Sequence, residues 1–321
     1  MLGRVTSSRL VAASVALVLL AGCTTSNGVS PQPTSSVGSA APSARSAGAS
    51  SKPSGPWYYV SIGDSYAAGY QPSGPSSGST TRNGFAYQFV PDALSRGYRL
   101  TLVNFACSGA TTSSVLHAAG CAGKNLGPGA SSYGRRTQAA AAEDFIQAHR
   151  NRIALITVSI GGNDITACGL SASPLGCLSP ALARVNTNLS TLLSGLRAAG
   201  GSGVQIVGIT YPDVFLAGSL SPVPALRTIA PLSVDAFRTL INPALKSTYS
   251  TVGAEFVDVT AATGAYGPLT DTTALPPYGM IPVPVAKICT LTYSCQYHDI
   301  HPRTDGYALI ATLIAALLPR H

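Results

Sequence analysis

The sequence has few charged residues, and those it has are spread out. Asp, Glu, Lys and Arg make up 10% of the 321 residues, with 20 basic and 12 acidic side chains. Only Arg135 and Arg136 are adjacent basic residues, and no aromatic residues alternate with basic clusters. Because nucleic acids are bound through basic patches and stacked aromatics, this composition argues against a nucleic-acid partner. The net charge of +8 supports only weak attraction to anionic surfaces.

Spacings typical of metal sites are also missing. The sequence contains no CxxC pair, and no cluster of histidines lies near its cysteines, although these are the patterns of protein zinc sites. Apart from Cys23, the cysteines form three groups of two, at Cys107 and Cys121, Cys168 and Cys177, and Cys289 and Cys295. Many pairings are possible, but an oxidising compartment and short loops favour disulfides between these neighbours. Metal binding is the alternative.

Residues 1–22 have the pattern of a bacterial export signal. Arg4 and Arg9 precede an apolar run over residues 10–20 that is too short to span a bilayer. The run ends in the sequence LAGC at residues 20–23, which resembles the lipobox of bacterial lipoproteins. That resemblance implies that Cys23 becomes the mature N-terminus and carries lipid. An ordinary secretory peptide is the alternative.

Residues 23–56 follow the predicted anchor and contain almost only small residues and proline, with Arg45 and Lys52 as the sole charges. Such a segment cannot bury enough apolar surface to fold, so it is predicted to be a disordered tether. No later apolar run approaches membrane-spanning length. We therefore expect residues 57–321 to form one soluble, monomeric domain. It is expected on the outer face of the cell membrane as a lipoprotein, or secreted.

Apolar runs and helical patterns alternate along this domain. Strands are predicted at residues 57–62, 99–105, 153–160, 204–210 and 255–259. Helices are predicted at residues 137–149, 182–199, 233–251 and 305–318, the last with Asp305 as its N-cap. This alternation predicts an α/β fold with a parallel sheet covered by helices on both faces. In such sheets, ligand-binding and active sites form beyond the carboxyl ends of the strands.

Three short motifs directly follow predicted strands, so they are expected to meet at the edge of the sheet formed by the carboxyl ends of the strands. They are Gly63-Asp64-Ser65, Cys107-Ser108-Gly109 and Gly161-Gly162-Asn163-Asp164. Ser65 is the candidate nucleophile, because a serine hydroxyl becomes reactive when a neighbouring base removes its proton. The backbone N–H groups of Ser65 and Gly109 and the side-chain amide of Asn163 are candidate oxyanion donors. Asp164 is expected to order its loop. Each motif alone is equally compatible with an ordinary turn or helix cap.

The candidate base is His301, in the loop before the last predicted helix, where Pro302 and the Asp305 cap are expected to fix the chain. His298 is the nearby rival. Asp299, two residues before His301, is the candidate carboxylate that would accept the second imidazole N–H.

In this order, the motifs resemble those of the SGNH (GDSL) hydrolase family, and especially secreted actinobacterial esterases and lipases with three disulfides. The resemblance covers residues 57–319. It implies Ser65 as nucleophile, Gly109 and Asn163 as oxyanion donors and His301 as base. It also implies a three-layer α/β/α sandwich around five parallel strands, with no metal or organic cofactor. The family's last motif is Asp-x-x-His, whereas His298 occupies the position of that aspartate. Either Asp299 or a backbone carbonyl would then orient His301.

The predicted activity is hydrolysis of carboxylic esters, either acyl lipids or simple acyl esters, through an acyl-enzyme on Ser65. A carbohydrate O-acetylesterase and an acyltransferase of the cell envelope are alternatives with the same chemistry. A non-enzymatic alternative is an envelope lipoprotein that binds a ligand on a hydrolase scaffold. Residues 264–287, rich in Pro, Tyr and aliphatic side chains, are either a wall of an acyl pocket or a packed surface loop.

Overall fold

The computed structural model describes residues 56–169, 171 and 173–319. The predicted signal peptide at residues 1–22, the predicted lipidation site Cys23 and the predicted tether up to residue 55 lie outside the described residues. Within the described ranges, no helix combines the length and the apolar character needed to cross a bilayer.

Strands and helices alternate along the described chain. The strands are β1 (Trp57–Gly63), β2 (Tyr70–Gly74), β3 (Ser77–Thr80), β4 (Leu100–Asn104), β5 (Ile153–Ser159), β6 (Gln205–Ile209), β7 (Glu255–Val257), β8 (Thr272–Leu275) and β9 (Gly279–Pro282). The helices are α1 (Ser65–Ala68), α2 (Phe85–Ser95), α3 (Thr112–His117), α4 (Gln138–Ala148), α5 (Gly162–Gly169), α6 (Pro174–Gly200), α7 (Pro224–Ala236), α8 (Asn242–Ser250), α9 (Val259–Ala262), α10 (Val283–Leu291), α11 (Ser294–Tyr297) and α12 (Thr304–Ala316). A 3-10 helix covers Val214–Leu220, and a π-helical turn covers Phe237–Ile241.

Five strands form the central sheet, in the order β4-β1-β5-β6-β7, and every neighbouring pair is parallel. This confirms the predicted five-stranded parallel sheet. From β1 the chain moves first to one side, to β4, and then to the other side, to β5. Crevices for ligands form where the strand order reverses in this way. The three motifs that follow β1, β4 and β5 therefore lie at the carboxyl ends of three adjacent strands.

Alternate residues of the strands pack into two cores on opposite faces of the sheet. Val60 and Ile62 face a core that includes residues of α4, α6 and α8. Tyr59 and Leu155 face a second core, made with residues of α2 and α12. Side chains alternate between the two faces of a strand, so burial of both sets requires helices on both sides. The fold is the predicted three-layer α/β/α sandwich.

Three disulfides connect the cysteines that are neighbours in the sequence. The bonded pairs are Cys107–Cys121, Cys168–Cys177 and Cys289–Cys295. This is the pairing that the sequence favoured. The first bond fixes the loop after β4, and the last joins α10 to α11, just before the His301 loop.

Two helices differ from their predicted bounds, and one predicted cap is wrong. The helix predicted at 182–199 begins earlier, at Pro174, because proline fits the first turn of a helix. The helix predicted at 233–251 is instead α7, which starts at Pro224, followed by the π-helical turn and α8. Asp305 does not cap α12, because Arg303 holds the N-cap position. Asp305 lies in the first turn, where its carboxylate interacts favourably with the helix dipole.

Candidate active site

Ser65 lies at a tight turn between a strand and a helix. β1 ends at Gly63 and α1 begins at Ser65, with Asp64 as the N-cap between them. The Oδ1 atom of Asp64 accepts a 3.0 Å hydrogen bond from the N–H of Tyr66. Gly63 has a φ of 150°, and a Cβ there would lie 2.1 Å from the carbonyl oxygen of Ser159. Only glycine therefore fits this turn, which holds Ser65 at the carboxyl end of β1.

A continuous chain of hydrogen bonds joins Ser65, His301 and Asp299. The Oγ atom of Ser65 lies 2.7 Å from Nε2 of His301, and Nδ1 of His301 lies 2.7 Å from Oδ1 of Asp299. A carboxylate accepts a hydrogen bond, so Nδ1 carries the proton and Nε2 presents its lone pair to the hydroxyl. Ser65 is only 4% exposed. The arrangement can remove the hydroxyl proton as the oxygen attacks an electrophile.

Asp299 contacts His301 through both its backbone and its side chain. Besides the imidazole contact, Oδ1 of Asp299 accepts a 2.9 Å hydrogen bond from the backbone N–H of His301. Partial burial raises the pKa of Asp299, but the hydrogen bonds and charge of His301 outweigh that effect, so its pKa lies below the ordinary value. His298 ends α11 in the left-handed region at a φ of 54°, with an exposed side chain. The chain thus turns at His298, and Asp299 follows that turn to reach the imidazole.

Backbone contacts hold the loop that carries His301. The hydroxyl of Tyr66 donates a 2.5 Å hydrogen bond to the carbonyl oxygen of Ile300. The carbonyl oxygen of His301 accepts a 2.9 Å hydrogen bond from the N–H of Tyr293. Pro302 continues this contact as a bridge to Thr292. Pro302 is thus part of the support, as predicted, but the predicted Asp305 cap is not.

The three candidate oxyanion donors lie on the segments that follow β1, β4 and β5, three adjacent strands of the sheet. Gly109 follows β4 with a φ of 86°, is exposed, and has open space where a Cβ would be. Among the hydrogen bonds of the described residues, the backbone N–H groups of Ser65 and Gly109 have no acceptor. The Nδ2 atom of Asn163 donates a 2.8 Å hydrogen bond to the carbonyl oxygen of Ala110. That bond uses one amide hydrogen and leaves the second available to an oxyanion.

Asp164 orders the loop, as the sequence indicated. Its two carboxylate oxygens accept hydrogen bonds from Thr112, at 2.9 Å from the backbone N–H and at 2.8 Å from the side-chain hydroxyl. Asn188 of α6 donates a further 3.1 Å bond to that hydroxyl. These contacts tie the segment after Gly109 to the segment that carries Asn163. The relative positions of two candidate oxyanion donors, Gly109 and Asn163, are thereby fixed.

Two buried residues support the turn at Ser65, although no sequence motif indicated this role. The hydroxyl of Tyr211 donates a 2.6 Å hydrogen bond to Oδ2 of Asp64. Burial raises the pKa of Asp64 to about 7, although the hydrogen bonds from Tyr211 and Tyr66 lower it. The ring of Tyr211 also fills the space where a Cβ on Gly162 would lie, 2.7 Å away. No local pattern marks Tyr211, because its contacts come from segments far apart in the sequence.

Gln138 is the second such residue. Its Oε1 accepts a 2.8 Å hydrogen bond from the N–H of Gly63, and its Nε2 donates a 3.0 Å bond to the carbonyl oxygen of the same residue. Gln138 is 2% exposed. Its side chain therefore pairs with both backbone groups of Gly63, whose carbonyl oxygen also accepts a 3.0 Å hydrogen bond from the N–H of Cys107. A lone glutamine at a helix start carries no sequence signal for this role.

A narrow cavity of about 30 Å³ opens beside Ser65. Its lining includes Asn163, Phe215 and Phe237. Residues 264–287 are absent from this lining, and Gly264 and Lys287 instead line a separate cavity. The lining therefore favours the alternative that these residues form a packed surface segment. They form the β8–β9 hairpin and the start of α10, packed as a surface unit.

Across residues 56–169, 171 and 173–319, no group of three His, Cys, Asp or Glu side chains is arranged to hold a metal ion.

Comparisons with known proteins identify the family. The sequence pattern of the GDSL-like lipase/acylhydrolase family matches residues 61–309. No curated protein matches the chain. An extracellular lipase from Streptomyces rimosus is similar in structure, with 18% identity and a TM-score of 0.48 over 82% of this chain and 100% of that chain. An aryl esterase from M. smegmatis has 13% identity and a TM-score of 0.45 over 81% and 97%. A carbohydrate acetylesterase from Sinorhizobium meliloti has 13% identity and a TM-score of 0.43 over the same shares.

Because the family match spans most of the chain, the protein belongs to the GDSL-like lipase/acylhydrolase family and is a carboxylic ester hydrolase.

Proposed function

We propose that the protein hydrolyses carboxylic esters in two steps, through an acyl-enzyme on Ser65. The Oγ atom of Ser65 attacks the ester carbonyl carbon while His301 Nε2 takes its proton. The oxyanion is bound by the N–H groups of Ser65 and Gly109 and the amide of Asn163. His301 then gives the proton to the leaving alcohol as the carbon–oxygen bond breaks. Water attacks the acyl-enzyme by the same route, which releases the acid and restores Ser65.

One observation carries this proposal: two 2.7 Å contacts place the imidazole of His301 between the Ser65 hydroxyl and the Asp299 carboxylate. Asp299 holds the ring in the tautomer that can accept a proton at Nε2, and it stabilises the imidazolium that forms. In this role Asp299 replaces the aspartate that the family pattern places three residues before the histidine.

The free donors favour an enzyme over a binding protein on the same scaffold. Hydrogen-bond donors without a partner are costly unless they serve a ligand or water. The N–H of Ser65 has no acceptor although Ser65 is buried, and the N–H of the exposed Gly109 is open to a ligand or to water. A ligand-binding lipoprotein has no need of a base aligned on a serine beside such donors.

Turnover of p-nitrophenyl butyrate tests the proposal. The purified domain is expected to hydrolyse this ester, and Ser65→Ala is expected to lower kcat by at least about a thousandfold. Ser76→Ala, at an exposed serine in the turn between β2 and β3, is the matched control and should keep the wild-type rate. Equal rates in the wild type and Ser65→Ala would overturn the assignment of Ser65.

We further propose that the protein is exported and anchored by lipid on Cys23. The three disulfides support export, because such bonds persist in oxidising compartments. Lipid chains would supply the membrane affinity through burial of their methylene groups. Full-length protein is expected in the membrane fraction, and Cys23→Ala is expected in the medium. A membrane-bound Cys23→Ala protein would contradict the anchor.

A further inference from the structure

We infer that the acyl chain of the ester lies in an apolar groove that begins at Ser65 and runs along α7. This inference rests on the proposed function of Ser65, and it assigns the substrate class as esters of medium- to long-chain fatty acids. Two adjoining cavities form the groove, a narrow one of about 30 Å³ beside Ser65 and a larger one of about 590 Å³ farther along. They share four lining residues, Ile165, Phe215, Phe237 and Ile241. The apolar lining is therefore continuous from the nucleophile to the outer end.

The chemistry of the outer cavity fits a hydrocarbon chain. One stripe of α7 lines it, with Ala225, Ile229, Leu232 and Ala236 at helical spacing. Among the described residues of its lining, none is charged. A sugar would need polar partners for its hydroxyl groups, because unpaired hydroxyls are costly to bury. The groove thus favours a fatty-acyl ester over an acetylated carbohydrate.

The position of the groove favours the acyl chain over the alcohol. His301 must reach the leaving oxygen to protonate it, so the alcohol lies on the side of the imidazole. The cavity beside Ser65 is lined by Asn163, whereas His301 is not among its described lining residues. The groove therefore leaves the reacting carbon on the side of Asn163 and not on the side of the imidazole. That side receives the acyl chain.

The walls of the groove are held together by a buried contact. Ser233 of α7 donates a 2.8 Å hydrogen bond to Oδ2 of Asp213, which directly precedes the 3-10 helix that carries Phe215. Asp213 is fully buried. Leu232, next to this contact, is 43% exposed although it lines the groove. An acyl chain would cover this leucine and remove its apolar surface from water.

A chain-length series tests the inference. With p-nitrophenyl esters from acetate to decanoate, kcat/KM is expected to rise by up to about fourfold for each added methylene until the groove is filled. Leu232→Asp is expected to lower the decanoate-to-acetate ratio of kcat/KM by about tenfold or more, because the new carboxylate meets the chain. Leu226→Asp changes another exposed leucine of α7 that lies outside the groove lining, so it should keep the wild-type ratio.

Two further experiments distinguish a failure of the groove proposal from a failure of the proposed reaction. Methyl decanoate and decyl acetate place the same chain on the acyl or the alcohol side, and faster hydrolysis of decyl acetate would overturn the acyl assignment. A fluorescent polyene fatty acid should bind the Ser65→Ala protein and bind Ser65→Ala/Leu232→Asp at least about tenfold more weakly. Fatty-acid binding needs no turnover. A protein that cleaves no ester but binds the fatty acid would therefore refute the proposed reaction and support the groove as a site for an acyl chain. Ester turnover that is independent of chain length, with no fatty-acid binding, would refute the groove alone.

Discussion

The hydroxyl of Tyr66 donates a 2.5 Å hydrogen bond to the carbonyl oxygen of Ile300. Tyr66 directly follows Ser65, the proposed nucleophile, and Ile300 directly precedes His301, the proposed base. Tyr66 is 2% exposed, and its ring packs against Tyr211 and His301, with centroids 4.9 and 5.8 Å away. Ser65 and His301 are 236 residues apart in the sequence. This bond links the two loops independently of the Ser65–His301 contact itself.

Removing the Tyr66 hydroxyl should therefore affect catalysis more than substrate binding. Tyr66→Phe is expected to lower kcat with p-nitrophenyl butyrate by about tenfold, because the His301 loop loses its alignment. KM should change by less than about threefold. Tyr278→Phe is the control, because it also removes a hydroxyl that donates to a backbone carbonyl, but on an exposed surface. Equal kcat losses in the two variants would contradict this role of Tyr66.

Asp299 is expected to be essential although it lies one residue closer to His301 than the family pattern places the aspartate. Asp299→Asn should lower kcat by roughly a thousandfold or more, because the amide cannot favour the correct tautomer or stabilise the imidazolium. His298→Asn alters the exposed rival and keeps a residue that tolerates the left-handed backbone, so it should retain the wild-type rate. Wild-type kcat in Asp299→Asn would instead support a Ser–His dyad.

The contact between Gln138 and Gly63 should contribute to stability. Gln138→Leu leaves the buried N–H of Gly63 without its acceptor, whereas the carbonyl oxygen of Gly63 keeps its 3.0 Å hydrogen bond from the N–H of Cys107. We expect the free energy of unfolding to fall by about 1–3 kcal/mol, measured by urea denaturation. Gln147→Leu makes the same exchange at an exposed position of the same helix and should cost less than about 0.5 kcal/mol. A loss in Gln138→Leu no larger than in the control would contradict this role.

Asp213 should make the protein less stable as pH rises from about 4 to 7. Burial raises its pKa from 3.8 to about 7, although the hydrogen bond from Ser233 lowers it. Between these values the native state holds a proton that the unfolded chain has released, so the free energy of unfolding falls with increasing pH. Each pKa unit corresponds to about 1.4 kcal/mol, so the full effect is on the order of 4 kcal/mol.

Asp213→Asn tests this dependence, because an amide stays neutral at every pH. Between pH 4 and 7, the free energy of unfolding of the variant should decrease less than that of the wild type, as measured by urea denaturation at each pH. Asp235→Asn, at an exposed position of α7, should keep the wild-type slope. An unchanged slope in Asp213→Asn would show that another group controls the dependence. Asp64, which burial also affects, is the next candidate.

The sequence predicted the central sheet well because three of its five strands, β1, β5 and β6, are largely buried apolar runs. The strand predicted at 153–160 is β5, Ile153–Ser159, and its buried residues give a continuous signal. The order of the strands did not follow from the pattern, because each run is compatible with any neighbour. Helix α2 was missed, since Pro91 interrupts its pattern and no side chain caps its start. The β2–β3 and β8–β9 hairpins were missed because their strands are only four or five residues long and form no continuous buried apolar run.

The candidate site was predictable where chemistry leaves a local motif. Ser65, Asn163 and His301 follow strands or precede a helix in short motifs, and the structure brings Ser65 and His301 into contact. Tyr211 and Gln138 carry no such motif, because their roles depend on contacts with residues far along the chain. The groove along α7 was missed for the same reason. Its apolar residues follow the pattern of an ordinary core helix.

Covalent labelling of Ser65 tests the central claim most directly. A fluorophosphonate should add one phosphonyl group per chain, which mass spectrometry should locate on the peptide that contains Ser65. Ser65→Ala should take up none, and His301→Ala should react at least about a hundredfold more slowly, because the hydroxyl loses its base. A wild-type protein that stays unlabelled, or that carries the label on another residue, would contradict the account.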